Sequence, residues 1–242
     1  MIENSTNSAA NSAANAAANS DAQGSAAANP TSDASYVFNV LILDESGSMG
    51  SIASAAKEVF EGYLHRLIQE QQDIPDLTQY INMWTFGKPY VNENIPLVKI
   101  RSWDKVFPEY CPSANTPMFD AIGMSIHKLK ESLRILDLQK EQYQVKVFIV
   151  SDGEENASRE YKASQIGALI RGLIAEGWAF DYYGTDHDIT SMADTLNIES
   201  NRRVMFQKSK AGMESARDQY MAEIMKEKMS FMESRRSDSS KK

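Results

Sequence analysis

Residues 36–48 read YVFNVLILDESGS. The first part of this stretch is almost entirely apolar, which is typical of a strand that is buried on both faces of a parallel sheet. The chain then places one carboxylate and two hydroxyls at alternate positions, Asp44, Ser46 and Ser48. All three side chains carry hard oxygen donors, which magnesium, manganese and calcium accept. Because only one of the three is charged, a cation held there would stay electrophilic and would attract a further anionic oxygen from outside.

The rest of the chain alternates between predicted helices and strands. Apolar residues at helical spacing predict helices at 52–68, 116–136, about 159–176, 189–196 and 208–232. Apolar and β-branched runs predict further strands at 80–86, 91–100, 144–151, 178–184 and 203–207. This alternation predicts an α/β fold, a Rossmann-like, doubly wound, mostly parallel six-stranded sheet with helices on both faces. A hairpin at Gly87-Lys88-Pro89, followed by Pro96, predicts that one edge strand is antiparallel.

Polar turns follow three of the predicted strands. They are the Asp44 turn, the segment SDGEEN at 151–156 and the segment GTDHD at 184–188, in which His187 lies between two aspartates. In doubly wound sheets ligands bind at the carboxyl ends of the strands, near the point where the strand order reverses. The three turns therefore predict one site at one edge of the sheet.

Composition excludes several classes of protein. The 242 residues carry 33 acidic and 25 basic side chains, a net charge of -8, which argues against binding to nucleic acid or to an anionic membrane. No apolar run approaches the roughly 20 residues that span a bilayer. Cys111 is the only cysteine, so an internal disulfide is ruled out and a reducing compartment is favoured. We expect a soluble, cytoplasmic protein.

The two ends of the chain differ in composition from the middle. Residues 1–34 are nearly all alanine, asparagine and serine, and they have no apolar face to bury, so we expect a disordered leader. We expect one domain at 35–232 and a flexible polar tail at 233–242.

Three segments carry a family resemblance. DESGSM at 44–49, NTPM at 115–118 and SDGEEN at 151–156 together resemble the metal-ion-dependent adhesion site (MIDAS) of von Willebrand factor A (vWA) domains. The segments occur in the family's order, each after the expected element. The resemblance covers about residues 36–230 and implies the vWA version of the predicted fold.

The resemblance also implies a ligand set for a divalent cation. Ser46 and Ser48 would bind the cation directly, and Asp44 and Asp152 would bind it directly or through water. Thr116 would bind directly when a partner is engaged and through water otherwise. The sixth position would take a carboxylate from the partner. Magnesium, which accepts few protein ligands and keeps waters, ranks first, manganese second, and calcium, which wants six to eight oxygens, last.

The sequence departs from the family pattern just before the threonine. Many members have glycine there, and this chain has Asn115. Asparagine tolerates the left-handed conformation better than most residues, so we expect the turn to be kept. Glu45, Glu154 and Glu155 add negative charge near the site, either as a solvated rim or as a means of repelling wholly acidic ligands.

For function, the resemblance implies a non-enzymatic, metal-dependent protein-binding module of bacterial or phage origin with no catalytic residue. Its partner would be another protein that presents a glutamate or aspartate, with kinases, phosphatases and chaperone-like ATPases as the partner classes that the family suggests. Two alternatives stay open, a scaffold whose metal is only structural and a magnesium-dependent phosphohydrolase. The second is disfavoured because Ser46 stands where an aspartyl-phosphate enzyme usually has its general acid. The sequence also lacks the glycine motifs that bind nucleotides.

Overall fold

The computed structural model describes residues 35–74, 76–87, 90–153, 155–185, 189–207 and 209–239. The prediction of disorder for 1–34 and the predictions for Glu154 and for His187 lie outside the described residues. The domain boundary at 34/35 likewise stays a prediction.

One mixed sheet organises the described part of the chain. Its strands are β1 (Ser35–Asp44), β2 (Leu77–Phe86), β3 (Val91–Lys99), β4 (Tyr143–Val150), β5 (Ala179–Gly184) and β6 (Arg203–Met205). The strand order is β3-β2-β1-β4-β5-β6. Only the β2–β3 pair is antiparallel, and β3, which contains Pro96, lies at the edge. The predicted α/β fold with one antiparallel edge strand is confirmed.

Helices cover both faces of this sheet. They are α1 (Ala53–Asp73), α2 (Met118–Leu136), α3 (Ala163–Ala175), α4 (Ile189–Thr195) and α5 (Lys210–Ser239), with short 3₁₀ helices at Gly47–Ile52, Lys140–Gln142 and Ser200–Arg202. Residues of α1 and α5 belong to the apolar cluster on one face, and residues of α2, α3 and α4 belong to the cluster on the other. No described helix is long and apolar enough to cross a membrane.

The central strand β1 is buried on both sides. Val40 and Ile42 belong to the cluster that includes α2, whereas Leu41 and Leu43 belong to the cluster that includes α1. This explains why the run in β1 shows no alternation of apolar and polar residues. Since β1 pairs with β2 on one side and with β4 on the other, the strand order reverses between β1 and β4. The carboxyl ends of these two strands carry Asp44 and the segment that starts at Ser151.

The start of α3 differs from the prediction. The pattern predicted a helix from about Arg159, but α3 begins at Ala163. The backbone N–H groups of residues 159–161 donate instead to the carboxylate of Asp120. A helix that began at 159 would leave these N–H groups without partners in the helix, and here a carboxylate from another segment satisfies them.

The last helix is longer than predicted. The sequence suggested an end near Met232 and a flexible tail from 233, whereas α5 continues to Ser239. Residues 213–239 contain neither glycine nor proline, so nothing in the sequence stops the helix. Residues 240–242 lie outside the described part of the chain.

Candidate metal centre

Asp44 ends β1 at the centre of the site. Its carboxylate is fully buried. It accepts hydrogen bonds from the backbone N–H of Ser46 at 2.7 Å and from the hydroxyl of Ser151 at 2.5 Å. Burial raises the pKa of Asp44 to about 6, although the hydrogen bonds from Ser151 and Ser46 act in the opposite direction. Both carboxylate oxygens are thus held by hydrogen bonds within the chain.

The two serine hydroxyls lie next to the second carboxylate. The Oγ atoms of Ser46 and Ser48 are 3.0 Å apart, and Ser48 donates a hydrogen bond to Oδ1 of Asp152 at 2.6 Å. Neighbouring ligands around an octahedral magnesium ion, each about 2.1 Å from it, are about 3 Å apart. The Ser46 and Ser48 hydroxyls have this spacing, and the Asp152 carboxylate lies in hydrogen-bond contact with Ser48.

Gly153 keeps open the space into which Ser48 and Thr116 project. A Cβ atom at Gly153 would lie 3.2 Å from Oγ of Ser48 and 3.8 Å from Oγ1 of Thr116. Both hydroxyls therefore lie close to one point beside Asp152. A side chain there would fill the space between the hydroxyls, and glycine leaves it free.

The five predicted side chains thus come together from three segments of the chain. The described residues contain no group of three or more His, Cys, Asp or Glu side chains that could hold a metal ion. The candidate site instead combines three hydroxyls with two carboxylates. This set of hard oxygen donors fits a divalent cation such as magnesium or manganese and would suit softer, thiolate-bound metals poorly.

Comparison with known proteins identifies the fold. No family model and no curated protein matches the sequence. Among solved structures, the VWA domain of SpRpn10 has a TM-score of 0.51 at 14% identity, and the match covers 75% of this chain and 94% of that chain. The vWF domain of the type V pili tip protein Mfa5 from Porphyromonas gingivalis has a TM-score of 0.56 at 10% identity, with 79% and 95% covered. The chain has the von Willebrand factor A fold.

A third vWA-fold neighbour is longer than this protein. Proximal thread matrix protein 1 from the mussel byssus has a TM-score of 0.51 at 14% identity, and the match covers 78% of this chain. The chain spans only 46% of that protein.

The glutamates expected at the rim of the candidate site accept backbone hydrogen bonds instead. Glu45 is only 6% exposed, and its Oε1 accepts the backbone N–H of Cys111 at 2.6 Å. Glu155 accepts backbone N–H groups from Phe119 at 2.9 Å and from Ala157 at 2.8 Å. Both carboxylates hold loops in place, so neither forms the solvated acidic rim that the sequence suggested.

The left-handed residue before the threonine is not Asn115. Ala114 has a φ of 67° and takes this conformation one position earlier. Its carbonyl accepts the backbone N–H of Gly47 at 3.1 Å, so the bond ties the strained residue to the turn that follows β1. The left-handed conformation expected at Asn115 is therefore found at Ala114 instead.

Sequence reasoning missed several residues that support the site. Ser151 and Asn156 lie within the quoted 151–156 segment, but nothing in the pattern showed what they would contact. The hydroxyl of Tyr110 donates to the backbone carbonyl of Asp44 at 2.5 Å from a long irregular loop. Burial, together with the nearby carboxylates of Asp44 and Glu45, raises the pKa of Tyr110 far above its ordinary value, so the hydroxyl stays a donor. Sequence spacing carries no signal for such a contact.

Proposed function

We propose that this protein is a non-enzymatic module that binds other proteins through a divalent cation. Asp44, Ser46, Ser48, Thr116 and Asp152 hold the ion, and a glutamate or aspartate of the partner supplies a further ligand. The observation that carries the proposal is the cluster formed by the two serine hydroxyls and Asp152 at the strand-order reversal of a vWA fold. Mfa5, which has the same fold, is a pili tip protein, and this agrees with a binding role.

Magnesium is the cation that this ligand set favours. Three of the five donors are neutral hydroxyls, so two carboxylates at most would balance the charge of the ion. Magnesium binds through few protein ligands and retains water in the remaining positions, and manganese accepts similar ligands. Calcium wants six to eight oxygens and would find too few. A cation balanced by so little charge attracts an external carboxylate, which is the basis of partner capture.

The burial and the hydrogen bonds of Asp44 favour a binding role over phosphoryl transfer. An aspartyl-phosphate enzyme needs an accessible carboxylate as its nucleophile. Asp44 is fully buried, and both of its oxygens accept hydrogen bonds from Ser46 and Ser151. Neither oxygen is exposed to solvent, where a phosphate ester could reach it.

The finer identity of the partner rests on the family resemblance. Kinases, phosphatases and chaperone-like ATPases are the proposed partner classes, and the cytoplasm is the proposed location. The charge argument adds that the partner presents one acid framed by neutral or basic groups, because the protein as a whole has a net charge of -8.

Calorimetric titration with Mg²⁺ and with Mn²⁺ tests the metal step. We expect one site in the wild type and none in Asp44→Ala or in the double variant Ser46→Ala/Ser48→Ala. Circular dichroism should show that each variant stays folded. Absence of binding in the folded wild type would refute the proposal.

A displayed peptide library, selected in Mg²⁺ and again in chelator, tests the partner step. We expect the Mg²⁺-dependent peptides to share an aspartate or glutamate whose change to asparagine or glutamine abolishes binding. If capture is equal in chelator, the metal is only structural and the scaffold alternative holds. Turnover of a generic phosphoester that is lost in Asp152→Asn would instead support the phosphohydrolase.

A further inference from the structure

Two hydrogen bonds join Thr116 and Asn156, and we call the pair of bonds the Thr116 bridge. The N–H of Thr116 donates to the side-chain Oδ1 of Asn156 at 3.0 Å, and the N–H of Asn156 donates to the carbonyl of Thr116 at 3.2 Å. The two residues are 40 positions apart in the chain. Both peptide groups of Thr116 are therefore held by one residue that is not among the five proposed ligands.

The bridge is one of several hydrogen bonds between the start of α2 and the segment after Asp152. We call this set of bonds the seam. The N–H of Phe119 donates to Glu155 at 2.9 Å, and the N–H of Asp120 donates to the hydroxyl of Ser158 at 3.1 Å. In return, the carboxylate of Asp120 accepts the N–H groups of residues 159–161. The start of α2 and the segment after Asp152 are thus joined at several points, and they carry their two proposed metal ligands as one unit.

Asn156 differs from the rest of the seam because it contacts the ligand residue itself. Thr116 is followed by Pro117, which has no N–H, and is preceded by Asn115 and by the left-handed Ala114. The Thr116 N–H is consequently the last backbone donor before α2. Fixing the N–H and the C=O of one residue fixes the direction of its Cα–Cβ bond, and this limits its hydroxyl to the positions that the staggered χ1 rotamers allow.

We propose that Asn156 is the positioning residue of Thr116 and sets the distance of its hydroxyl from the cation. This inference rests on the proposed metal-binding function. Groups that orient a metal ligand typically change metal affinity by 10- to 100-fold when they are removed. Asn156 is exposed, so its replacement leaves the apolar core untouched.

The first test is calorimetric titration with Mg²⁺ alone. We expect Asn156→Ala to weaken binding about tenfold and Asn156→Asp, which keeps an acceptor for the Thr116 N–H, to restore it. A double-mutant cycle then separates positioning from other effects. In a Thr116→Ala background, Asn156→Ala should cause no further loss, and Asn156→Asp should report only the effect of the added charge.

Ser158→Ala is the matched control for a merely structural role. It removes the Asp120 N–H bond from the same seam but leaves the Thr116 bridge intact. We expect its Mg²⁺ affinity to stay within about twofold of the wild type, whereas general loosening of the seam would weaken Ser158→Ala and Asn156→Ala alike.

A second readout needs no metal. Amide hydrogen exchange at Thr116, followed by NMR in metal-free protein, should accelerate in Asn156→Ala and stay slow in Asn156→Asp and Ser158→Ala. Wild-type affinity in Asn156→Ala, or an equal loss in the Thr116→Ala background, would overturn this inference alone. A wild type that takes up no Mg²⁺ would overturn the proposed function and this inference together.

Discussion

Ser48 donates a hydrogen bond to the carboxylate of Asp152, 2.6 Å away and 104 positions later in the chain. The contact joins the turn after β1 to the turn after β4, across the point where the strand order reverses. Both partners are proposed ligands of the same ion. The hydrogen bond therefore holds the two proposed ligands next to each other.

Ser48→Ala should weaken Mg²⁺ binding at least tenfold, because it removes one neutral ligand and the bond that orients Asp152. Ser48 is exposed, so we expect the free energy of unfolding without metal to fall by only about 1 kcal/mol. Calorimetry gives the affinity, and urea unfolding gives the stability.

Ser51→Ala is the control for Ser48→Ala. Ser51 is also exposed, lies in the same 3₁₀ helix, and is not a proposed ligand. Its Mg²⁺ affinity should equal that of the wild type. Equal losses in the two variants would show that the 3₁₀ helix, and not the Ser48 hydroxyl, is what the ion requires.

Each proposed ligand has a local signal in the sequence. Asp44 and Asp152 follow apolar runs, and Thr116 precedes an amphipathic stretch. The role of Asp120 had no such signal. It lies in the first turn of α2, and its carboxylate accepts N–H groups from residues 159–161, which come just before α3.

Glu45 and Glu155 show the same limit of prediction from sequence. Acidic residues beside a predicted site suggest a charged rim, yet Glu45 and Glu155 accept backbone N–H groups from segments far away in sequence. A pattern along the chain gives the residue type and the element. It does not give the partner when that partner comes from another segment.

Asp181 should make stability depend on pH with an unusual sign. It is buried on β5 beside Arg202 and near Glu227 and Lys146, and burial raises its pKa to about 6. Between the unfolded pKa of about 3.8 and the folded pKa of about 6, the folded state holds more protons. The contribution of Asp181 therefore falls as pH rises through this window, by about 3 kcal/mol in total.

Asp181→Asn removes this titration while keeping the size of the side chain. Urea unfolding from pH 4 to pH 7 should show the stability of the wild type relative to Asp181→Asn falling as pH rises. A constant difference across that range would mean that Asp181 binds as many protons in the folded state as in the unfolded state, so that burial does not raise its pKa.

Ala114→Gly should raise stability. The left-handed conformation costs alanine about 1–2 kcal/mol, and glycine loses about 0.4–1 kcal/mol through the greater freedom of the unfolded chain. We expect a net gain of about 0.5–1 kcal/mol in the free energy of unfolding, measured with urea.

Gly177→Ala is the converse control. Gly177 has a φ of 93° and open space around it, so the added methyl group tests backbone strain alone. It should destabilise the protein, and the same sign in both variants would contradict the argument.

Lys228 on α5 and Glu70 on α1 form a fully buried ion pair, with Nζ and Oε2 2.7 Å apart. Lys228 also donates to Gln79 at 2.9 Å. Lys228→Met should lower the free energy of unfolding by about 3 kcal/mol, the lower end for breaking a buried pair, because Arg66 remains 3.4 Å from the Glu70 carboxylate. Adding Glu70→Gln removes that charge and should recover most of the loss. Urea unfolding of both single variants and the double variant measures the coupling. Additive losses would show that the two groups contribute to α5 docking independently, contrary to their geometry.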